Sequence, residues 1–255
     1  MWIDTHCHPF AKPFNKDRAE MIQRARDAGV DKMICVGFNP WANRETLKLL
    51  EKYDFMYGTL GVHPCDCDEL TDEEIVWIRE AALARLGRIV GIGETGLDYH
   101  HMSHSKEAQQ ESFRKHIRLA KELNLVCIVH SRDAADDTLR ILLEEKAEKV
   151  VFHCYSYGLE FAKQVWAEGF YTSFSGVVTY PQAADVQEAA KHAPADLILI
   201  ETDCPYLAPQ SIRGKRNEIS GVVEVGEKVA ELRAMQPQQL ATQLSSNFQT
   251  CFMSS

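Results

Sequence analysis

Eight short apolar runs, separated by segments of helical spacing, leave this chain few folds to choose from. Trp2 and Ile3 open the first run, and the others are 32–36, 56–62, 89–94, 126–130, 150–153, 170–175 and 197–201. Runs that are apolar without alternation suit strands buried on both faces, as in a parallel sheet. Between them the period changes. Residues 16–28, 43–53, 71–86, 106–123, 134–145, 159–168 and 185–192 read as helices, each with one buried face. Gly29 and Gly169 stand where helices stop, and Thr71 with Glu74 forms a capping-box pattern. Two more helices, 222–235 and 237–252, fill the tail. The count and lengths predict an α/β fold, a single-domain (β/α)8 TIM barrel over residues 1–255. No Gly-x-Gly-x-x-Gly opens a helix, so a dinucleotide-binding sheet has no support.

The setting follows from what the composition excludes. No apolar run is long enough to span a bilayer, and the first residues lack the pattern of a signal peptide. A cytoplasmic protein with no membrane partner is expected. The eight cysteines suit reduced thiols: Cys35, Cys127, Cys154 and Cys204 lie in or beside apolar runs, and Cys65-Asp66-Cys67 has no second pair to complete a zinc site. A net charge of −9 argues against coating long duplex DNA. It leaves room for a small site that grips one chain end. No tail or exposed heptad suggests an obligate protein partner.

The ends of the apolar runs carry the chemistry. His6 and His8 stand two apart where the first strand ends, and a strand points residues two apart to the same side. His63 follows the third run, Glu94 the fourth, His130 the fifth, His153 the sixth, and Glu201 with Asp203 the eighth. A barrel brings all these ends to one face, where the active sites of this architecture sit. Singly, each has an ordinary reading as a cap, a turn former or a satisfied core histidine. Jointly, so many buried titratable groups converge at low cost only around a shared charge. Imidazoles and carboxylates without a thiolate suit Zn²⁺, Mn²⁺ or Mg²⁺. Two such ions, about 3.5–4 Å apart, ionise a shared water and stabilise attacking and leaving oxygens. The implied reaction is hydrolysis. Arg213, Lys215 and Arg216 form the densest basic cluster, and Arg132 lies just past the fifth run. Guanidinium forks match phosphate, so these four are candidate phosphate contacts.

Eight motifs extend these observations: Ile3-Asp-Thr-His-Cys-His8, Gly61-Val-His-Pro64, Gly91-Ile-Gly-Glu-Thr-Gly-Leu-Asp-Tyr99, His130-Ser-Arg-Asp-Ala134, Phe152-His-Cys-Tyr-Ser156, Phe174-Ser-Gly176, Glu201-Thr-Asp-Cys-Pro-Tyr-Leu207 and Arg213-Gly-Lys-Arg-Asn-Glu218. With them the chain resembles, over essentially its whole length, the TatD family of metal-dependent deoxyribonucleases within the amidohydrolase-like barrels. The resemblance implies two divalent ions, one held by His6, His8, Glu94 and Asp203, the other by Glu94, His130 and His153, with Glu94 bridging. It makes Glu94 and Asp203 the catalytic pair, Asp203 being placed to accept a proton from the attacking water. It leaves His63 as a substrate contact rather than a ligand, and Glu201 in a supporting role. The implied activity is 3′-5′ exonucleolytic hydrolysis of single-stranded DNA. The alternatives are hydrolysis of a small phosphoester, carboxylic ester or amide, since fold does not fix substrate, and a metal-stabilised binding protein with little turnover. Two departures bear on substrate preference. Ile219 follows Glu218 where the family often has proline, and Tyr155-Ser156-Tyr157 replaces the commoner Phe-Ser-Gly or Phe-Thr-Gly.

Overall fold

The structure, a computed structural model, describes residues 1–254. In chain order its elements are β1 (Trp2–Cys7), α1 (Arg18–Asp27), β2 (Val30–Val36), α2 (Pro40–Lys52), β3 (Met56–Leu60) and α3 (Asp72–Leu83). They continue with β4 (Ile89–Asp98), α4 (Lys106–Glu122), β5 (Val126–Arg132), α5 (Ala135–Glu144), β6 (Val150–Phe152) and α6 (Leu159–Ala167). The last are β7 (Tyr171–Phe174), α7 (Ala184–His192), β8 (Ile198–Ile200), α8 (Val222–Leu232) and α9 (Pro237–Phe252). The strands are ordered in one sheet as they are in the chain, β1 to β8. That is the strand order of a (β/α)8 TIM barrel, the fold expected from the apolar runs. Among the described residues no helix is long and apolar enough to cross a membrane.

Two compact parts make up the chain. The first joins Met1–Cys35 to His153–Thr250. Within it β1 pairs with β2, and β7 with β8, in parallel. Beyond β8 the chain returns to the end of β1: Asp203 donates its N–H to the His6 carbonyl at 2.9 Å, and His8 donates to the Cys204 carbonyl at 3.0 Å. The Thr5 hydroxyl adds a bond to the Ile200 carbonyl at 2.9 Å. Phe14, Met21, Met33, Phe174 and Phe248 are fully buried in this part.

The second part spans Val36–Phe152 with the residues from Cys251. Here β3, β4, β5 and β6 pair successively in parallel. Met56, Ile92, Phe113, Ile117 and Phe152 fill its interior. β4 runs to Asp98, four residues past the end of the apolar run that announced it. Its pairing with β5 steps from Ile92↔Cys127 to Thr95↔Val129, so β4 carries one extra residue there. This bulge sits at Gly93, whose φ is +133° and where a Cβ would lie 2.5 Å from the Ile128 carbonyl oxygen. A Cβ on Gly61 would in turn meet the Gly93 backbone at 2.5 Å. Only glycine permits β3 and β4 to come this close.

Local signals explain most of the remaining differences from expectation. α2 begins at Pro40, earlier than its apolar period suggests, because Asn39 caps it and accepts from the Ala42 N–H at 2.9 Å. Thr71 caps α3 as expected, accepting from the Glu74 N–H at 3.2 Å. Glu74 does not complete the capping box. Its carboxylate accepts from both terminal guanidinium nitrogens of Arg44, at 2.7 and 2.8 Å.

Candidate metal centre

In the first part, the end of β1 and the segment after β8 assemble one cluster. His8 Nε2 lies 3.2 Å from Asp203 Oδ1 and His6 Nε2 lies 3.8 Å from the same oxygen. Ligand-competent atoms of His6, His8 and Asp203 all fall within 4.8 Å of one another, close to the spacing around one ion with bonds of about 2.0–2.2 Å. His153, just past β6, stacks on His6 with ring centroids 4.0 Å apart and planes 17° apart. Two imidazolium ions would repel in that stack, so at least one ring is neutral and keeps a lone pair for a cation. Burial works to raise the Asp203 carboxyl, but the imidazoles of His8, His6 and His153 hold it below its usual range.

Two buried carboxylates brace this cluster. Glu201 Oε1 accepts from the Cys154 N–H at 2.7 Å and faces His153 Nδ1 at 3.3 Å, which directs the other ring nitrogen away from it. Asp4 accepts from the His6 N–H at 3.1 Å, the Thr202 N–H at 3.0 Å and the Thr202 hydroxyl at 2.5 Å. It thereby ties β1 to the segment carrying Asp203. Complete burial pushes Asp4 up to about 8 despite these donors.

The second part builds the other cluster from β4, β5 and the end of β3. His130 Nδ1 is 3.1 Å from Glu94 Oε1, and His63 Nε2 is 3.6 Å from it. The bulge at Gly93 turns Glu94 toward His130. On the far side of the ring, His130 Nε2 meets Asp98 Oδ2 at 3.2 Å. Asp98 is buried, which would raise its carboxyl, yet His130 and the His101 backbone and ring hold it far below the usual range. With Nε2 donating to that carboxylate, Nδ1 faces the Glu94 oxygen, and a proton or a cation must lie between them. His63 differs. Its Nδ1 accepts from the Cys65 N–H at 3.1 Å, so the neutral ring carries its proton on Nε2 and is a donor there. That fits a substrate contact, and the donor sets of both clusters fit divalent ions.

The candidate phosphate contacts separate. Arg132 and Lys215 are exposed and make no side-chain hydrogen bond or ion pair among the described residues. Arg213 lies over the Tyr180 ring at 4.3 Å. Arg216 departs from expectation: Asp17 and Glu218 hold its guanidinium at 2.6 to 2.8 Å. It is a structural cation that staples the loop to α1, and it is withdrawn from phosphate capture.

Sequence reasoning passed over Asp98 and Asp4. Asp98 was hidden because the glycines around Glu94 look like the end of a strand, when they are a bulge within one. Asp4 had a usable signal, since it stands two residues before His6 and shares its side of β1.

A family model described as TatD related DNase matches residues 3–253. The protein named uncharacterized metal-dependent hydrolase YabD, from Bacillus subtilis (strain 168), is 42% identical over 254 residues, 99% of each chain. The 3′-5′ ssDNA/RNA exonuclease TatD of Citrobacter koseri is 33% identical over 249 residues, 94% of each chain. The crystal structure of YJJV, a TatD homologue from Escherichia coli K12, matches with a TM-score of 0.91 at 29% identity, covering 100% of this chain and 98% of that one.

Proposed function

The chain belongs to the TatD-related DNase family and is a metal-dependent hydrolase; we propose that it removes nucleotides from the 3′ end of single-stranded DNA. Residues 1–255 act in this reading as one catalytic domain. The observation that carries it is that each of the two parts holds an imidazole–carboxylate cluster at its strand ends, His6, His8 and Asp203 with His153 in the first, and Glu94 with His130 in the second. In the assignment we favour, His6, His8, Glu94 and Asp203 hold one divalent ion and Glu94, His130 and His153 the other. Bound there, Mg²⁺, Mn²⁺ or Zn²⁺ would polarise a phosphoryl oxygen and lower the pKa of water.

The residues themselves do the rest. Asp203, kept ionised by its histidines, accepts the proton of the attacking water. His63 offers its Nε2–H to a non-bridging phosphate oxygen. Arg132, Arg213 and Lys215 neutralise charge that grows on the phosphoryl group. Support from relatives is graded, because a relative named a 3′-5′ ssDNA/RNA exonuclease is 33% identical, while a 42% relative is named only a metal-dependent hydrolase. Eight free thiols suit work in a reducing compartment such as the cytoplasm.

The test is a 5′-labelled single-stranded oligonucleotide given to metal-stripped protein re-supplied with Mg²⁺ or Mn²⁺, beside Glu94→Ala. A metal-dependent ladder shortening from the 3′ end, absent in the variant, is expected. An intact oligonucleotide with metal-loaded wild type would remove nucleic acid as substrate and turn attention to small phosphoesters, carboxylic esters and amides.

A further inference from the structure

We infer that Tyr206 is a stacking platform for the terminal nucleobase, a subsite beside the first cluster; the inference rests on the nucleic-acid reading above. The residue is 58% exposed. Its ring lies 6.4 Å, centroid to centroid, from the ring of His8 at an interplanar angle of 66°. A single exposed aromatic means little by itself. Here position and rigidity give it meaning.

The backbone under the ring is fixed on both sides. Tyr206 donates its N–H to the Asp203 carbonyl at 3.0 Å. Asn217, fully buried, donates its own N–H to the Pro205 carbonyl at 3.1 Å. Its side-chain amide reaches the carbonyls of Thr202 at 3.0 Å and Tyr206 at 2.7 Å. Further along, the Tyr180 hydroxyl donates to the Ala208 carbonyl at 2.8 Å. One buried asparagine therefore clamps the segment that presents both Asp203 and Tyr206. With its backbone held this way, the segment loses little further entropy when a base stacks on the ring.

The separation of the two rings is on the scale of one nucleotide, so a base on Tyr206 leaves its phosphate at His8 and Asp203. Arg213 and Lys215 follow on the same stretch of chain. Aromatic faces interleaved with cations are how proteins hold single strands without reading sequence. In a chain of net charge −9, a local grip of this kind replaces a broad basic surface.

Two single-stranded oligonucleotides that differ only in carrying a base or an abasic residue at the 3′ terminus test this, with Mn²⁺-loaded wild type, Tyr206→Phe and Tyr206→Ala. Wild type should prefer the base-bearing end by about tenfold in kcat/KM, mostly through KM. Tyr206→Phe should keep that preference and Tyr206→Ala should bring the ratio near one. A 3′-terminal 2-aminopurine should be quenched on binding wild type and much less on binding Tyr206→Ala. An equal preference in wild type and Tyr206→Ala would overturn stacking and leave the nuclease reading standing. Cleavage of a small chromogenic phosphodiester with both oligonucleotides untouched would overturn the nuclease reading and this inference with it.

Discussion

Asp98 reaches the second cluster through its contact with His130 Nε2. Its Oδ1 accepts from the His100 and His101 backbone, at 3.0 and 2.8 Å, while Oδ2 is left for the rings of His130 and His101. Asp98→Asn keeps the first pair but presents an N–H to His130, which frees that imidazole to turn or change tautomer. Divalent-metal affinity should fall about 10- to 100-fold, as for other carboxylates that orient a ligating histidine. Calorimetric titration of stripped protein with Mn²⁺ would measure it, and an unchanged affinity would mean that Asp98 only orders its loop. Arg216 gives the contrasting case. Its charge faces Asp17 and Glu218, so Arg216→Ala should reduce stability while leaving the KM for oligonucleotide within about twofold, a split that kinetics and urea melts would resolve together.

At the scale of elements, three bonds pin the chain that leads from β3 to His63. Gly61 donates to Asn43 Oδ1 on α2 at 3.1 Å, Val62 to His116 Nε2 on α4 at 3.0 Å, and His63 to the Phe38 carbonyl at 2.8 Å. His116 also donates from Nδ1 to the Ser112 carbonyl at 2.8 Å, so it serves as a neutral ring. Burial pushes it down to about 4 from an ordinary 6.5. A folded value below the unfolded one means that the stabilisation is present above pH 6.5 and lost as pH falls from there toward 4. The loss should be roughly 2–3 kcal/mol over that window. Urea midpoints against pH should show it in wild type and should flatten in His116→Gln. None of these pins could be read from the sequence, because each joins residues on different elements. What could be read were features with a short period: apolar runs, caps such as Thr71 and stops such as Gly29. The positions of the six expected ligands stand out for the same reason, since each lies at or within a few residues of the end of a run. The bulge that aims Glu94 was not, because Gly91 and Gly93 look alike in sequence and only Gly93 takes a positive φ.

For the whole molecule, charge and metal set the behaviour. A net charge of −9 with three free or lightly engaged cations as the candidate phosphate contacts predicts a shallow salt dependence. For two or three phosphate contacts on a single strand, log affinity against log salt should have a slope of about −1.4 to −2. A steeper slope would reveal a basic surface larger than Arg132, Arg213 and Lys215 supply. Metal should also act on folding. Each ion that binds a native cluster and not the unfolded chain adds about 2.7 kcal/mol at a hundredfold excess over Kd, which raises Tm by roughly 5–10 °C per ion for a chain of this size. A Tm unmoved by Mn²⁺ would mean that the clusters do not bind it. The bulge at Gly93 also bears on how such a protein can change over evolutionary time. Its backbone is wedged between Gly61 and Ile128, so the carboxylate of Glu94 is locked to the framework. The stretch after Asp203, from Tyr206 to Lys215, is held in part by side chains, Asn217 on the Tyr206 carbonyl and Tyr180 on the Ala208 carbonyl. New substrates should therefore be acquired by remodelling that stretch, with the hydrolytic centre inherited unchanged.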